Sequence, residues 1–360
     1  MRILQLIDSL EVGGAERMAI NYANALLDHV DFSGIVATRK EGKLKTLLDS
    51  NLFFECLSKR GTFDFIAIFK LRSICKRNDI DFVHAHGTSY FTAFLLKLVH
   101  FKIKIIWHEH AGARSKERSI HNIVLWAIAR FFSGIIVVNH DLEVWCKQKL
   151  NFNQVIYLPN FTAINGSELK TTQLHGVAGK RIVCLANLRH PKNHRLLLDV
   201  AINFRKSNPH WTFHFIGKDA NDDYSQELKS IIGRHNLSQN VFIYDSCQDI
   251  DHILEQTTIG VLSSSSEGLP ISLLEYGMHK KAVVVTHVGE MPLIVEDGVN
   301  GFVVPSESVS LFSDALDRLS KSDSLRNNFG NALGEKIQKE HSENAVIAKY
   351  IYWLKNELIC

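Results

Sequence analysis

Short, nearly continuous apolar runs alternate with helix-length amphipathic segments along most of the chain. In the first half the runs fall at Ile3 to Ile7, Ile35 to Thr38, Phe53 to Leu57, Phe82 to His86, Ile103 to His108, Ile135 to Asn139 and Val155 to Leu158. Runs of this kind predict strands buried on both faces, hence a parallel sheet with crossover helices on either side. The rhythm resumes at Ile182 to Ala186, Phe213 to Gly217, Val241 to Tyr244 and Ile259 to Leu262. Beyond Pro305 amphipathic helices run to the end, and in the last of them, Ala345 to Leu358, the residues Ile347, Tyr350, Ile351 and Leu354 recur at helical spacing. Residues 162–180 hold Thr, Gly, Ser and Lys but few large apolar side chains, which predicts a linker and a second domain starting at Arg181. At 360 residues the chain is too long for one ordinary core, so the expected class is α/β with two doubly wound domains.

Composition narrows the setting. With 46% hydrophobic and 22% charged residues the chain is globular. Six scattered cysteines without a C-x-x-C pair argue against a disulfide frame or a zinc site, and a reducing cytoplasm fits. The start, Met1 to Asp8, is too short in apolar run for a signal peptide and reads as a first strand. Ile123 to Val138 is interrupted by Arg130 and Ser133-Gly134 below the length that spans a bilayer, so it reads as a buried helix followed by a strand. Residues 1–165 carry 21 basic against 15 acidic side chains, whereas the remainder carry 20 against 23. The basic first half raises the expectation of contact with anionic lipid or with acceptor phosphates.

Ligands of parallel sheets bind beyond the carboxyl ends of the strands, so the informative residues are those that follow each run. Ser263 to Tyr276 reads S-S-S-S-E-G-L-P-I-S-L-L-E-Y: a polar turn from a buried strand into a helix, with Pro270 expected at the first helical position. Free N–H groups at such a helix start suit the phosphates of a nucleotide, and Glu267 and Glu275 frame that anion site. Gly13-Gly14-Ala15-Glu16-Arg17 opens the first helix, where adjacent glycines permit close backbone approach to a ligand. G-x-G-x-x-G and the Walker motif are both absent, which counts against a dehydrogenase or a P-loop enzyme. His84 and His86, then His108 and His110, close two strands, each pair on one face. They read as partly buried histidines in preference to metal ligands. Arg189 and Lys192 follow the first strand of the second half, where a cation can neutralise a diphosphate.

The E-x7-E arrangement with G-L-P after its first Glu resembles the donor-site motif of the family 4 retaining glycosyltransferases, which have the GT-B fold of two Rossmann-like domains facing a cleft. The run from Glu267 to Pro305, including D-G-V-N-G-F-V-V-P, continues the resemblance. It implies an acceptor-side domain, 1–165, and a nucleotide-sugar domain, 166–341, with the closing segment 342–360 packing back on the first. It implies that Glu267 and His110 meet the transferred sugar as the catalytic residues, with His108 the alternative to His110. Glu275 meets the ribose, and Gly14, Arg189, Lys192, Gly268, Leu269 and Pro270 complete the donor site. His86 and His108 are acceptor-side candidates. The family usually has Arg five residues before the Lys; here that place is Asn187, so Lys192 alone carries over directly and Arg189 is the candidate replacement.

The function implied is transfer of a hexosyl or N-acetylhexosaminyl group from a UDP-sugar to a glycan or lipid-linked acceptor in the synthesis of a cell-surface polysaccharide such as lipopolysaccharide or capsule. No metal cofactor is expected, because no D-x-D pair stands at a strand end. A cytoplasmic location at the inner face of the membrane is expected, with peripheral contact to anionic lipid and no nucleic-acid partner. A nucleotide-sugar 2-epimerase of the same architecture and a sugar-nucleotide binding protein without turnover are the alternatives.

Overall fold

A computed structural model describes residues 1–110, 120–161 and 170–358. The chain forms two compact units, Met1–Phe161 with Glu343–Cys360, and Thr162–Ser342.

The first unit is built on seven parallel strands: β1 (Arg2–Ser9), β2 (Phe32–Lys40), β3 (Phe53–Cys56), β4 (Phe82–His86), β5 (Lys104–Glu109), β6 (Gly134–Val137) and β7 (Val155–Tyr157). Their order is β3-β2-β1-β4-β5-β6-β7. The central strands are buried on both faces, which is why they lack polar alternation. Helix Gly14–Ala25 covers one face through Met18, Ala19, Tyr22 and Ala23. On the other, helix Phe65–Arg77 is capped by Asp64, whose side chain accepts from Ala67 N at 3.1 Å, and ends in Lys76 and Arg77, favourable to the helix dipole. The segment from Ile123 is a helix, Ile120–Ala129, followed by β6; Leu125 and Ile128 are buried, but Ile123, Val124 and Trp126 are exposed. Among the described residues no helix is long and apolar enough to cross a membrane.

The C-terminal segment is part of this unit. Helix Glu343–Trp353 buries Val346, Ile347, Tyr350 and Trp353, then widens into a π-helical turn over Leu354–Leu358. A Cβ at Gly134 would lie 2.4 Å from the Trp353 ring, so the missing side chain is what lets this indole lie on β6.

The second unit has six parallel strands: β8 (Arg181–Leu185), β9 (Thr212–Ile216), β10 (Val241–Tyr244), β11 (Ile259–Leu262), β12 (Ala282–Thr286) and β13 (Phe302–Val304). The order β10-β9-β8-β11-β12-β13 is the 3-2-1-4-5-6 pattern of a Rossmann sheet. Over residues 170–180 its start corrects the reading of a linker. Thr171 N and Thr172 N donate to Asp249 Oδ2 at 2.8 and 2.7 Å, Thr172 Oγ1 donates to Asp249 Oδ1 at 2.7 Å, and Leu174 is buried in the core. These polar residues are consumed by one buried carboxylate, so the segment is fixed despite its composition. Residues 162–169 lie outside the described residues.

Candidate active site

In each sheet the strand order reverses at one place, between β1 and β4 and between β8 and β11, and at such a point the loops diverge and leave a crevice at the strands' carboxyl ends. In the second unit the flanking loops are 186–193 and 263–270. β8 and β11 pair only through Ile259 with Ile182 and Gly260 with Val183. Past these pairs the hydroxyl of Tyr276 fills the gap, accepting from Leu185 N at 2.8 Å and donating to Val183 O at 3.2 Å. The ring fits because Gly260 has no side chain: a Cβ there would be 2.6 Å from it.

The two loops are then bonded together. Ser263 Oγ donates to Lys192 O at 2.9 Å, and Ser265 N donates to Pro191 O at 2.8 Å. Lys192 Nζ donates to Glu267 Oε1, the same oxygen that accepts from Ser264 Oγ at 2.7 Å. The pair is largely withdrawn from water, with 9% of the Glu267 side chain and 27% of the Lys192 side chain exposed. Oε2 of Glu267 makes no hydrogen bond among the described residues, so it is the oxygen available to a ligand hydroxyl. Gly289, after β12, supports this loop from behind. It adopts φ +56°, and a Cβ would meet the carbonyl oxygens of Glu267 and Gly268 at 2.4 and 2.5 Å, so only glycine fits. Sequence reasoning missed Ser264, Tyr276 and Gly289 as builders of the site. Only the motif around Tyr276 hinted at them.

Helix Ile271–Met278 follows. Pro270 is its N-cap, in extended conformation, and not its first helical residue as expected; it offers no side-chain acceptor to the first-turn N–H groups. The ring that blocks helical continuation backwards therefore also leaves the helix start uncapped. Leu269 is buried in the core, so only its backbone can face a ligand. Glu275 lies one turn beyond Ile271, half-buried. Asn187, in the place of the family's arginine, is taken by the fold: its Oδ1 accepts from Lys218 N at 2.9 Å. Arg189 is exposed and pairs with no carboxylate among the described residues.

In the first unit Gly14 is exposed at the start of helix Gly14–Ala25, and a Cβ there would meet nothing within 4 Å, so this unit does not itself require glycine at that position. Four imidazoles cluster along β4 and β5, His84 and His86 in β4, His108 in β5 and His110 just after it. His84 and His86 are 4.3 Å apart between ring centroids, His108 and His110 4.0 Å. His84 Nε2 lies 3.2 Å from His108 Nδ1, and His86 Nδ1 lies 2.9 Å from His110 Nε2. Tyr350 Oη bonds His84 Nδ1 at 3.2 Å, and Gln5 Oε1 bonds His86 Nε2 at 2.8 Å. Tyr22 covers His84 and His108 edge-on at 5.0 and 5.6 Å. Burial drives His84, His86 and His108 well below the ordinary histidine range and His110 down to about 3, so all four rings are neutral. Ring nitrogens of His84, His86 and His108 lie within 4.8 Å of one another, a spacing a cation could use, but most of them are engaged in the bonds just described.

This arrangement corrects the expectation for His86 and His108. Both are buried, so they cannot touch an acceptor; they sit behind His110, the half-buried ring at the outer edge. Of His108 and His110, His110 is the less buried ring.

Comparison with known proteins agrees with this architecture. The chain is 24% identical over 302 residues to the capsular polysaccharide biosynthesis glycosyltransferase CapH of Staphylococcus aureus, covering 81% of this chain and 82% of that one. It is 22% identical over 342 residues to the amylovoran biosynthesis glycosyltransferase AmsD of Erwinia amylovora, covering 92% and 93%. Among solved structures it superimposes on Anabaena HepE, crystallised with UDP and glucose, with a TM-score of 0.85 at 18% identity over 99% of this chain and 100% of that one, which establishes the GT-B fold. Residues 12–163 match Glycosyltransferase Family 4 and residues 168–335 match Glycosyl transferases group 1, so both units, each with its switch-point loops, are accounted for, and the chain belongs to the family 4 glycosyltransferases.

Proposed function

We propose that the protein transfers a hexosyl or N-acetylhexosaminyl group from a UDP-sugar to a glycan or lipid-linked acceptor of a cell-surface polysaccharide, retaining the anomeric configuration. The observation that carries this reading is the Lys192–Glu267 pair at the β8/β11 switch point, directly before an uncapped helix start. A diphosphate at that helix start meets backbone N–H groups and the Lys192 ammonium, which stabilise the charge of the departing nucleotide. Glu267 Oε2 accepts from a hydroxyl of the transferred sugar, Glu275 holds the ribose, and the family resemblance assigns His110 to the same sugar. The bond from the anomeric carbon to the phosphate oxygen breaks as the acceptor oxygen bonds on the same face, and the acceptor proton passes to that phosphate oxygen. The UDP and glucose bound to HepE and the capsular and amylovoran roles of CapH and AmsD support the donor and acceptor classes.

Incubation with labelled UDP-glucose, UDP-galactose and UDP-N-acetylglucosamine, with and without polyprenyl-diphosphate saccharides, tests the reading. Acceptor-dependent product supports it. A free isomerised sugar would identify an epimerase, and binding without turnover a carrier.

The reading places the protein in the cytoplasm at the inner face of the membrane, with the lipid-facing surface on helix Phe65–Arg77. Phe63, Phe65, Ile66 and Phe69 are exposed there, Ile66 to 84%, beside Lys70, Lys76 and Arg77, while Leu98 and Phe101 are exposed on the neighbouring segment. Interleaved aromatic and basic side chains complement an anionic lipid surface. Co-sedimentation with vesicles containing phosphatidylglycerol, lost in Ile66→Ser with Phe69→Ser, is the expected result; equal recovery with pure phosphatidylcholine would remove the charge argument.

A further inference from the structure

Gln5 lies in the middle of β1 with none of its surface exposed, on the face that carries the imidazoles. Its Oε1 is 2.8 Å from His86 Nε2, and His86 Nδ1 is 2.9 Å from His110 Nε2. A carboxamide oxygen only accepts, so His86 donates from Nε2. A neutral imidazole has one N–H, so His86 Nδ1 then holds a lone pair, and the bond to His110 must be donated by His110 Nε2. The remaining lone pair of His110 is therefore on Nδ1. One amide sets the polarity of both bonds.

We propose that Gln5 is a positioning residue that fixes His110, through His86, as the Nε2–H tautomer, so that His110 meets a sugar hydroxyl as a hydrogen-bond acceptor at Nδ1. The choice of a sugar hydroxyl rests on the placement of His110 given under the proposed function; the tautomer does not. The intermediate ring has no freedom to reverse on its own, because His86 stacks on His84 at 4.3 Å and is hydrogen-bonded at both ring nitrogens. Burial keeps both relay rings neutral, which makes the one-proton argument apply to each. An amide suits this task better than an acid. A carboxylate in the same place would draw a second proton onto His86 and turn its Nδ1 into a donor toward His110.

Histidine-selective 15N NMR on the full chain without donor reads the tautomer directly. The expected spectrum has His110 protonated at Nε2 and bare at Nδ1. Gln5→Leu removes the acceptor at similar volume and should give a mixed or reversed His110 tautomer, while Gln5→Glu, by drawing a second proton onto His86, makes His86 Nδ1 the donor and should reverse the His110 tautomer. The donor kcat/KM should fall on the order of tenfold in both variants. A proton on Nδ1 of His110 in the wild type, or an unchanged tautomer in a folded Gln5→Leu, overturns the proposal. If Gln5→Leu does not fold, the wild-type and Gln5→Glu spectra still decide. Because the spectrum needs no donor, its failure is distinct from a failure of the transferase reading, which the labelled-donor assay reports.

Discussion

Lys192 Nζ is hydrogen-bonded to Glu267 Oε1, across two loops whose residues stand 75 positions apart in the chain. A cation held by a carboxylate at the mouth of the switch point is pre-positioned for a diphosphate without being free to collapse elsewhere. Arg189, on the same loop, is exposed and has no such anchor among the described residues.

Lys192→Ala is therefore expected to damage turnover far more than Arg189→Ala. A donor aimed at charge developing in the transition state is typically worth about 2.7 to 4 kcal/mol of barrier, so the lysine variant should lose about 100- to 1,000-fold in kcat. Initial rates at saturating donor, with circular dichroism as a folding control, decide it. Equal losses would mean that Arg189 acts as a full replacement for the family's arginine.

Glu275→Ala should weaken binding of free UDP while leaving the fold intact, because the side chain is half-buried on a helix whose core contacts are made by Leu273, Leu274 and Tyr276. Loss of a hydrogen bond to a charged group costs about 1.5 to 3 kcal/mol. Calorimetry with UDP reads the change, and an unaltered affinity would take Glu275 out of the ribose role.

Turnover is expected to survive EDTA, since Lys192 and the helix start are assigned the leaving charge. Strict loss of activity, restored by Mg or Mn, would require a metal in the donor site and would displace Lys192 from that role.

Stability should fall as pH drops below about 6.5. Burial depresses His84, His86 and His108 well below 6.5 in the folded protein and His110 to about 3, so the unfolded chain takes up protons that the folded chain refuses. The stabilising contribution is complete above the unfolded pKa and is lost on acidification, by up to about 1.4 kcal/mol per pH unit for each fully buried neutral histidine. Thermal melts between pH 7 and pH 4.5 should show a steadily falling Tm. A flat profile would mean that the array is charged in the folded state.

The same substitution should have opposite weight at two glycines. Gly134→Ala drives a methyl group into the Trp353 ring and is expected to cost about 1 to 3 kcal/mol by overpacking, loosening the C-terminal segment. Gly14→Ala meets open space and should leave the Tm unchanged. Denaturant titration of both variants checks the contrast.

Hydrophobic runs alone determined where the strands lie, because burial on both faces is a local property of each segment: Phe82 to His86, Val241 to Tyr244 and Ile259 to Leu262 are strands with those limits. The same chemistry of spacing placed Glu267, Glu275 and Lys192 beside helix starts. What periodicity cannot report is which buried residues meet. Residues 170–180 look like a linker by composition and are ordered only because Asp249 receives Thr171 and Thr172. His86 reads as a partly buried acceptor-side candidate at a strand end and is fully enclosed because Tyr22 and the closing helix cover that face of the sheet. Gln5 is one polar residue in an apolar strand until β1 is set beside β4, and its role exists only through a contact 81 residues away. Local pattern decides burial and conformation residue by residue, whereas the long-range pairing that assembles a site depends on the strand order of the whole sheet, and that only the tertiary structure decided.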